Sequence, residues 1–207
     1  TENDQISKML FSGGIKIDDA NELISSVLGI ADGIKIEPLD EGFLKKILII
    51  KNDKEYNLSD MGYGLTKLMP FILNPDSSSP EYGLKPHIWL LSEPEANLHP
   101  SLQSKLADLF DHLMDNSGSM FIIETHSEYL IRKLQYLVKQ TSSKLQGKDI
   151  VIYYFYHPDK IPPGENQIKK IEIDEVGNLT DNFGPGFYDE SSRISLELWN
   201  LNTSQKN

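Results

Sequence analysis

Two apolar runs in this chain each end abruptly in polar residues. In "IWLLSEPEANLHP" (88–100) the apolar stretch stops at Ser92-Glu93-Pro94-Glu95, and in "GSMFIIETHSEYL" (118–130) it stops at Glu124-Thr125-His126-Ser127. A carboxylate pinned by a following proline, with an imidazole beside it, could polarise a water and sense a phosphate. Each motif alone has a plainer reading. A histidine at a helix start commonly caps or packs, and Glu-Pro after a strand is commonly only a turn. The combination carries more weight: apolar run, "EPE", "LHP", amphipathic helix, apolar run, "ETHS", in that order.

The elements that must position these residues follow from periodicity. "HIWLL" and "GSMFIIE" read as short, nearly continuous apolar strands. Between them Pro100 opens a helix with Leu102, Leu106, Leu109, Phe110, Leu113 and Met114 on one stripe. "THSEYLIRKLQYLVKQ" is a second helix, capped by Ser127, with Leu130, Ile131, Leu134, Leu137 and Val138 on its buried face. "DIVIYYFY" (149–156) is a third strand. Strand, helix, strand, helix, strand predicts an α/β fold whose mostly parallel sheet is flanked by helices. In such sheets functional groups collect beyond the carboxyl ends of the strands, where Glu93 and His126 fall.

Upstream, "DANELISSVLGIADGI" (19–34) predicts a short helix ending at Gly33, and "IKIEPLD" and "FLKKILIIKN" predict two strands turning at "EG". "LSDMGYGLTKLMPFIL" (58–73) predicts a helix after a Ser/Asp capping signal and two glycines, and "NPDSSSPEYGLKP" (74–86) a variable loop. After His157 the pattern becomes β-rich. "IKKIEIDEVGNLTDN" (168–182) predicts a hairpin turning at Gly177-Asn178, "FGPGFYDE" adds turns, and a short helix ends the chain. The expected divisions are 1–57 leading into a lobe, the lobe at 58–156, and a small β-rich extension at 157–207.

Composition narrows the classes. The 207 residues suffice for one domain with its own core, or a domain plus an appendage. Asp and Glu number 31 against 20 Lys and Arg, a net charge of −11 that opposes a free-standing DNA-binding module. Lysines in 45–54 and 166–173 could form a local basic patch, or simply the solvated faces of strands. With no cysteine there are no disulfides or thiolate metal sites, which is compatible with the cytoplasm. No apolar run reaches the roughly 20 residues of a membrane span. The five histidines are scattered without zinc-ligand spacing.

"LLSEPEANLHPSLQ" with "FIIETHSEYLIRKL" resembles the second half of bacterial AAA-type ATPases with an ATP-binding-cassette-like head. These are relatives of the RecF, SMC and overcoming-lysogenization-defect proteins, several of them in anti-phage systems. The resemblance covers roughly 58–190 and is strongest over 88–132. It implies the C-terminal lobe of such a head, with ATP and Mg²⁺ as cofactors. Glu93 would be the general base on the Walker B strand and His126 the switch histidine at the γ-phosphate. Asn97, Leu98 and His99 would form the D-loop that crosses to a second subunit. Ser59, Gly62 and Gly64 would stand in the signature region and offer backbone N–H groups to a partner's phosphate. A tight turn before a helix explains the two glycines equally well.

Two departures stand out. The family strand ends on two acids, the first holding Mg²⁺ through water; here that position is Ser92, a neutral and weaker partner for a hard cation. The chain also lacks G-x-x-x-x-G-K-[ST]: "FSGGIKIDD" has the wrong spacing, and "KLQGKDI" lacks the upstream glycine and the hydroxyl. The implied partners are therefore a P-loop-bearing lobe and a head-to-tail dimer mate, with DNA or an effector protein beyond them. The other reading is a regulatory or docking module that kept the fold and lost nucleotide chemistry. A metal-dependent nuclease would need an acid pair after an apolar strand, and the acids past residue 150 fall as "IDEVG" and "TDN" instead.

Overall fold

A hydrogen-bonded meander opens the chain as described by a computed structural model, which covers residues 17–39, 44–73, 88–140 and 143–204. The first helix, α1 (Ile17–Glu22), widens into a π turn over Leu23–Val27, where the Leu28 N–H donates to the Leu23 carbonyl. Gly29, at φ 62°, terminates it in the left-handed conformation that glycine adopts without strain. The helix thus ends short of Gly33, which instead opens β1 (Gly33–Leu39). Strand β2 (Leu44–Lys51) pairs antiparallel with β1 and with β3 (Lys54–Asn57). The charged run "KNDKEYN" masks β3 in the sequence, but Asn52 and Asp53 at φ 51° and 59° make the two-residue turn that favours a hairpin. Asn21 of α1 stitches helix to sheet, its Oδ1 accepting from the Ile34 N–H at 2.7 Å.

A 3₁₀ turn at Leu58–Met61 leads into α2 (Tyr63–Ile72), which carries Pro70 near its end. The expected loop at 74–86 and the turn at "EG" lie outside the described residues. Strand β4 (Ile88–Ser92) is followed by α3 (Pro100–Ser117), β5 (Met120–Glu124) and α4 (Glu128–Lys139). β4 and β5 are parallel and in register from Ile88 opposite Met120 to Ser92 opposite Glu124. One face of the pair carries Trp89 and Phe121, which meet Phe71 of α2 and Phe110 of α3 at centroid distances of 4.8–6.4 Å. On the other face Ile88, Leu90, Met120 and Ile122 are 58–74 % exposed.

The chain divides into two compact units at Lys133/Leu134, so α4 crosses from one into the other. In the second unit β6 (Val151–Phe155) pairs antiparallel with β7 (Ile168–Glu172). The expected strand at 149–156 therefore forms a sheet with β7 rather than with the parallel pair. The α/β character holds, and the parallel sheet among the described residues is β4 with β5. The chain does turn at Gly177-Asn178, through a single bridge from Ile173 to Leu179. Asp174 holds that turn, its Oδ1 accepting from the N–H groups of Val176 and Asn178. "FGPGFYDE" brings Phe183, Phe187 and Tyr188 into an aromatic cluster with Tyr154, and the last helix, α5, spans Glu190–Ser204.

Candidate functional site

The parallel register brings Ser92 and Glu124 side by side at the carboxyl ends of β4 and β5, and the ladder runs one bond further, from the Glu93 N–H to the Glu124 carbonyl at 2.8 Å. Glu93 then leaves the sheet at φ 45°, a left-handed conformation uncommon for a side chain of its size. The Ala96 N–H closes the turn on the Glu93 carbonyl at 3.0 Å. This backbone throws the Glu93 carboxylate toward the loop that follows β5. Its Oε1 lies 3.4 Å from Nε2 of His126, with both side chains open to solvent. Strained backbone of this kind concentrates where geometry serves a function.

Ser92 does not stand alone. Its hydroxyl donates to Oε2 of Glu124 at 2.9 Å, so a carboxylate from the neighbouring strand occupies the rim beside it. Among the described residues no three His, Asp or Glu side chains cluster as a closed metal cage. One carboxylate and one hydroxyl nevertheless fit a magnesium ion that keeps its waters and takes other ligands from phosphates. Sequence reasoning noted Glu124 only as a strand end; the register that makes it Ser92's partner has no local signature.

A second polar network lies beneath the rim. Glu95 is buried, and its Oε1 accepts from the Thr125 hydroxyl at 2.7 Å and from the His126 N–H at 2.6 Å. Ser127 caps α4 by accepting from the Leu130 N–H at 3.2 Å, and donates to Oε1 of Gln103 at 2.7 Å. Gln103 in turn donates to the Leu98 carbonyl at 3.1 Å. The loop over 93–99, the start of α3 and the start of α4 are thus tied together by side chains.

Of the remaining candidates, Asn97 sits at φ 64°, which asparagine tolerates better than most residues. His99 caps α3, its Nδ1 within 3.3 Å of the Ser101 N–H and 2.8 Å of the Ser101 hydroxyl. Gly64 is buried in the first turn of α2. A Cβ there would stand 2.5 Å from Leu98 Cδ2 and 3.0 Å from the Asn97 carbonyl oxygen, so its smallness lets α2 touch the 93–99 loop. Gly62, at φ 87°, has open space around it and joins the 3₁₀ turn to α2. The Ser59 hydroxyl donates to Asp60 at 3.3 Å. Glu93, Ser92 and His126 therefore share one rim, and Gly64 is joined to the loop of Asn97 and Leu98.

Charges elsewhere are largely spent on one another. Lys169 pairs with Asp181 at 3.1 Å and with Glu165 at 3.4 Å, and Lys170 pairs with Glu172 at 2.6 Å, so the lysines of 166–173 face acids. No described helix is long and apolar enough to cross a membrane.

A model described as AAA ATPase domain matches residues 2–131, and one described as a protein of unknown function (DUF3696) matches residues 145–198. A search of curated proteins finds no match. Seven solved chains match. One, from work described as structural biochemistry of ATP-driven dimerization and DNA stimulated activation of SMC ATPases, is 12 % identical, with a TM-score of 0.49 over 96 % of this chain and 97 % of that one. Since the first model spans more than half of the chain and takes in the whole rim from Ser92 to His126, the chain belongs to the AAA ATPase domain family.

Proposed function

We propose that this chain supplies one lobe of an ATPase head in which Glu93 orients the attacking water and His126 contacts the terminal phosphate. The observation that carries the reading is the 3.4 Å approach of Glu93 Oε1 to His126 Nε2 at the ends of two parallel strands. Exposure of both groups leaves room for a phosphate and a water between them and solvent. Glu93 accepts the proton of the water as it attacks, and His126 donates a hydrogen bond to the phosphoryl oxygens as charge builds there. Glu124 with Ser92 would hold Mg²⁺, which when bound neutralises phosphate charge. Asn97 and His99 in the D-loop, with Ser59, Gly62 and Gly64, would face a second nucleotide across a head-to-tail dimer. Since Gly64 is filled on its bare side by Leu98 and Asn97, Gly62 is the glycine of the two with space for a phosphate.

No G-x-x-x-x-G-K-[ST] run occurs in these residues, so the β-phosphate cradle would come from a P-loop lobe outside them. The lobe at 58–156 would then be the catalytic half, with 157–207 as its extension. The test uses this chain together with that lobe. Glu93→Gln should lower ATP turnover by roughly 10²–10⁴-fold, the usual contribution of general-base catalysis, and should accumulate ATP-bound dimers. Unchanged turnover would remove Glu93 from the mechanism. A second reading, a docking module without hydrolysis, is favoured by Ser92 in place of the acid. It predicts co-purifying partners without a P-loop and no response of assembly to ATP.

A further inference from the structure

We infer that Glu95 is a positioning residue for His126: a buried carboxylate oxygen that clamps the Thr125-His126 backbone to the same turn that carries Glu93. The two exposed side chains cannot hold themselves together. An ion pair open to water contributes at most about 1 kcal/mol, and here the His126 and Glu93 side chains are 75 % and 49 % exposed. Their spacing must therefore be set by the backbones beneath them. Glu95 is the side chain that joins those backbones. It stands two residues from Glu93, and the same short loop is closed by the Ala96 N–H on Glu93 and the Leu98 N–H on Glu95, both at 3.0 Å. From that loop it reaches across to the Thr125 hydroxyl and the His126 N–H. Thr125 extends the clamp, its Oγ1 accepting from the Ser127 N–H at 3.0 Å, one residue before α4 begins.

The cost of this arrangement argues for a purpose. Glu95 is only 6 % exposed, and its second oxygen, Oε2, is buried with no hydrogen-bond partner. A half-satisfied buried carboxylate is expensive, and an apolar residue would pack the site at less cost. Both bonds use one oxygen, Oε1. The clamp therefore requires an acceptor at that point and not a negative charge. Glutamine offers the same oxygen; alanine offers nothing. This separates Glu95 from Glu93, whose proposed role needs the carboxylate itself. The inference rests on the reading of His126 as the phosphate contact for its purpose, though not for its existence.

The experiment is amide spectroscopy on the ¹⁵N-labelled full chain, with ATP turnover in the presence of a P-loop lobe as the second readout. The His126 N–H, held in a short bond of 2.6 Å to Oε1 of Glu95, should resonate at low field and exchange slowly with solvent. Glu95→Gln should keep both signatures and turnover near the native value. Glu95→Ala should lose both and lower kcat by about 10²-fold, the scale of an ångström misplacement, with KM for ATP little changed. If Glu95→Ala does not fold, the glutamine variant decides: loss of the low-field amide there overturns the clamp. Persistence of that amide in folded Glu95→Ala overturns it as well. Loss of the amide with unchanged turnover upholds the clamp and counts instead against His126 as the phosphate contact.

Discussion

The hydroxyl of Ser92 donates to Glu124 because parallel pairing sets residues 92 and 124 directly opposite each other. At this scale the chain solves a problem that two acids would create. Two carboxylates facing each other across a sheet repel by up to about 1 kcal/mol unless a cation lies between them. A serine removes the repulsion and would leave one carboxylate for the proposed ion. Ser92→Asp should therefore lower the thermal midpoint in chelator, and added MgCl₂ should raise that midpoint further than it raises the wild type's, because binding to the folded state alone stabilises it. Equal Mg²⁺ responses in a melting experiment would show that this pair does not face the cation. Glu93 and His126 were legible in the sequence because each sits in a short motif at the end of an apolar run. Glu95 and Glu124 were not, because their partners are fixed by strand register and loop geometry over separations of about thirty residues.

At the scale of elements, most helices and strands follow from periodicity, and the exceptions have specific causes. Gly29 ends α1 four residues before Gly33 because the π turn brings a left-handed glycine to the helix end. β6 joins β7 through the 156–167 connection, closed by the Tyr156 N–H on the Gln167 carbonyl at 2.9 Å, a pairing that a run of apolar residues does not encode. Two predictions belong here. Gly64→Ala adds a residue of better helix propensity, worth about 1 kcal/mol, yet drives a methyl against the Asn97 carbonyl and Leu98. Overpacking costs about 1–3 kcal/mol, so denaturant titration should find the variant destabilised, and a stabilised one would mean that α2 and the loop move apart freely. The second concerns acid. Backbone N–H groups of Asn178 and Val176 hold the Asp174 carboxyl below its usual range. A depressed folded pKa gives stability that is present above the ordinary carboxylate range and lost as pH falls through the lower, folded value. The protection factors of the Val176 and Asn178 amides should therefore fall once the pH drops below the ordinary carboxylate range, and Asp174→Ala should show that lower protection at neutral pH as well. Slow exchange in the variant would mean that the turn is held by Gly177 and its neighbours without the carboxylate.

At the scale of the whole molecule, the strands β4 and β5 are apolar on both sides, which in the sequence predicts burial on both. Among the described residues, only the Trp89 and Phe121 side is covered. Ile88, Leu90, Met120 and Ile122 form the other side, and Leu90 is 74 % exposed. Which element covers a sheet face cannot be read from the strand itself, so this incompleteness emerged only from the structure. The proposed head requires a P-loop lobe close to the rim at Ser92 and Glu93, and the bare side of the same two strands ends at that rim. Leu90→Lys tests whether the two facts are one. A residue so exposed contributes little to the chain's own fold, so the urea midpoint should stay within about 0.5 kcal/mol of wild type. A lysine ammonium buried against an apolar lobe without a counter-charge would cost far more than the packing returns. Assembly with the P-loop lobe, followed by co-purification, should therefore fail, and ATP turnover should fall with it while Glu93 and His126 remain untouched. A marked loss of stability in the isolated variant would show that this side is covered within the chain. Normal stability with normal assembly would place the complementing lobe on another surface.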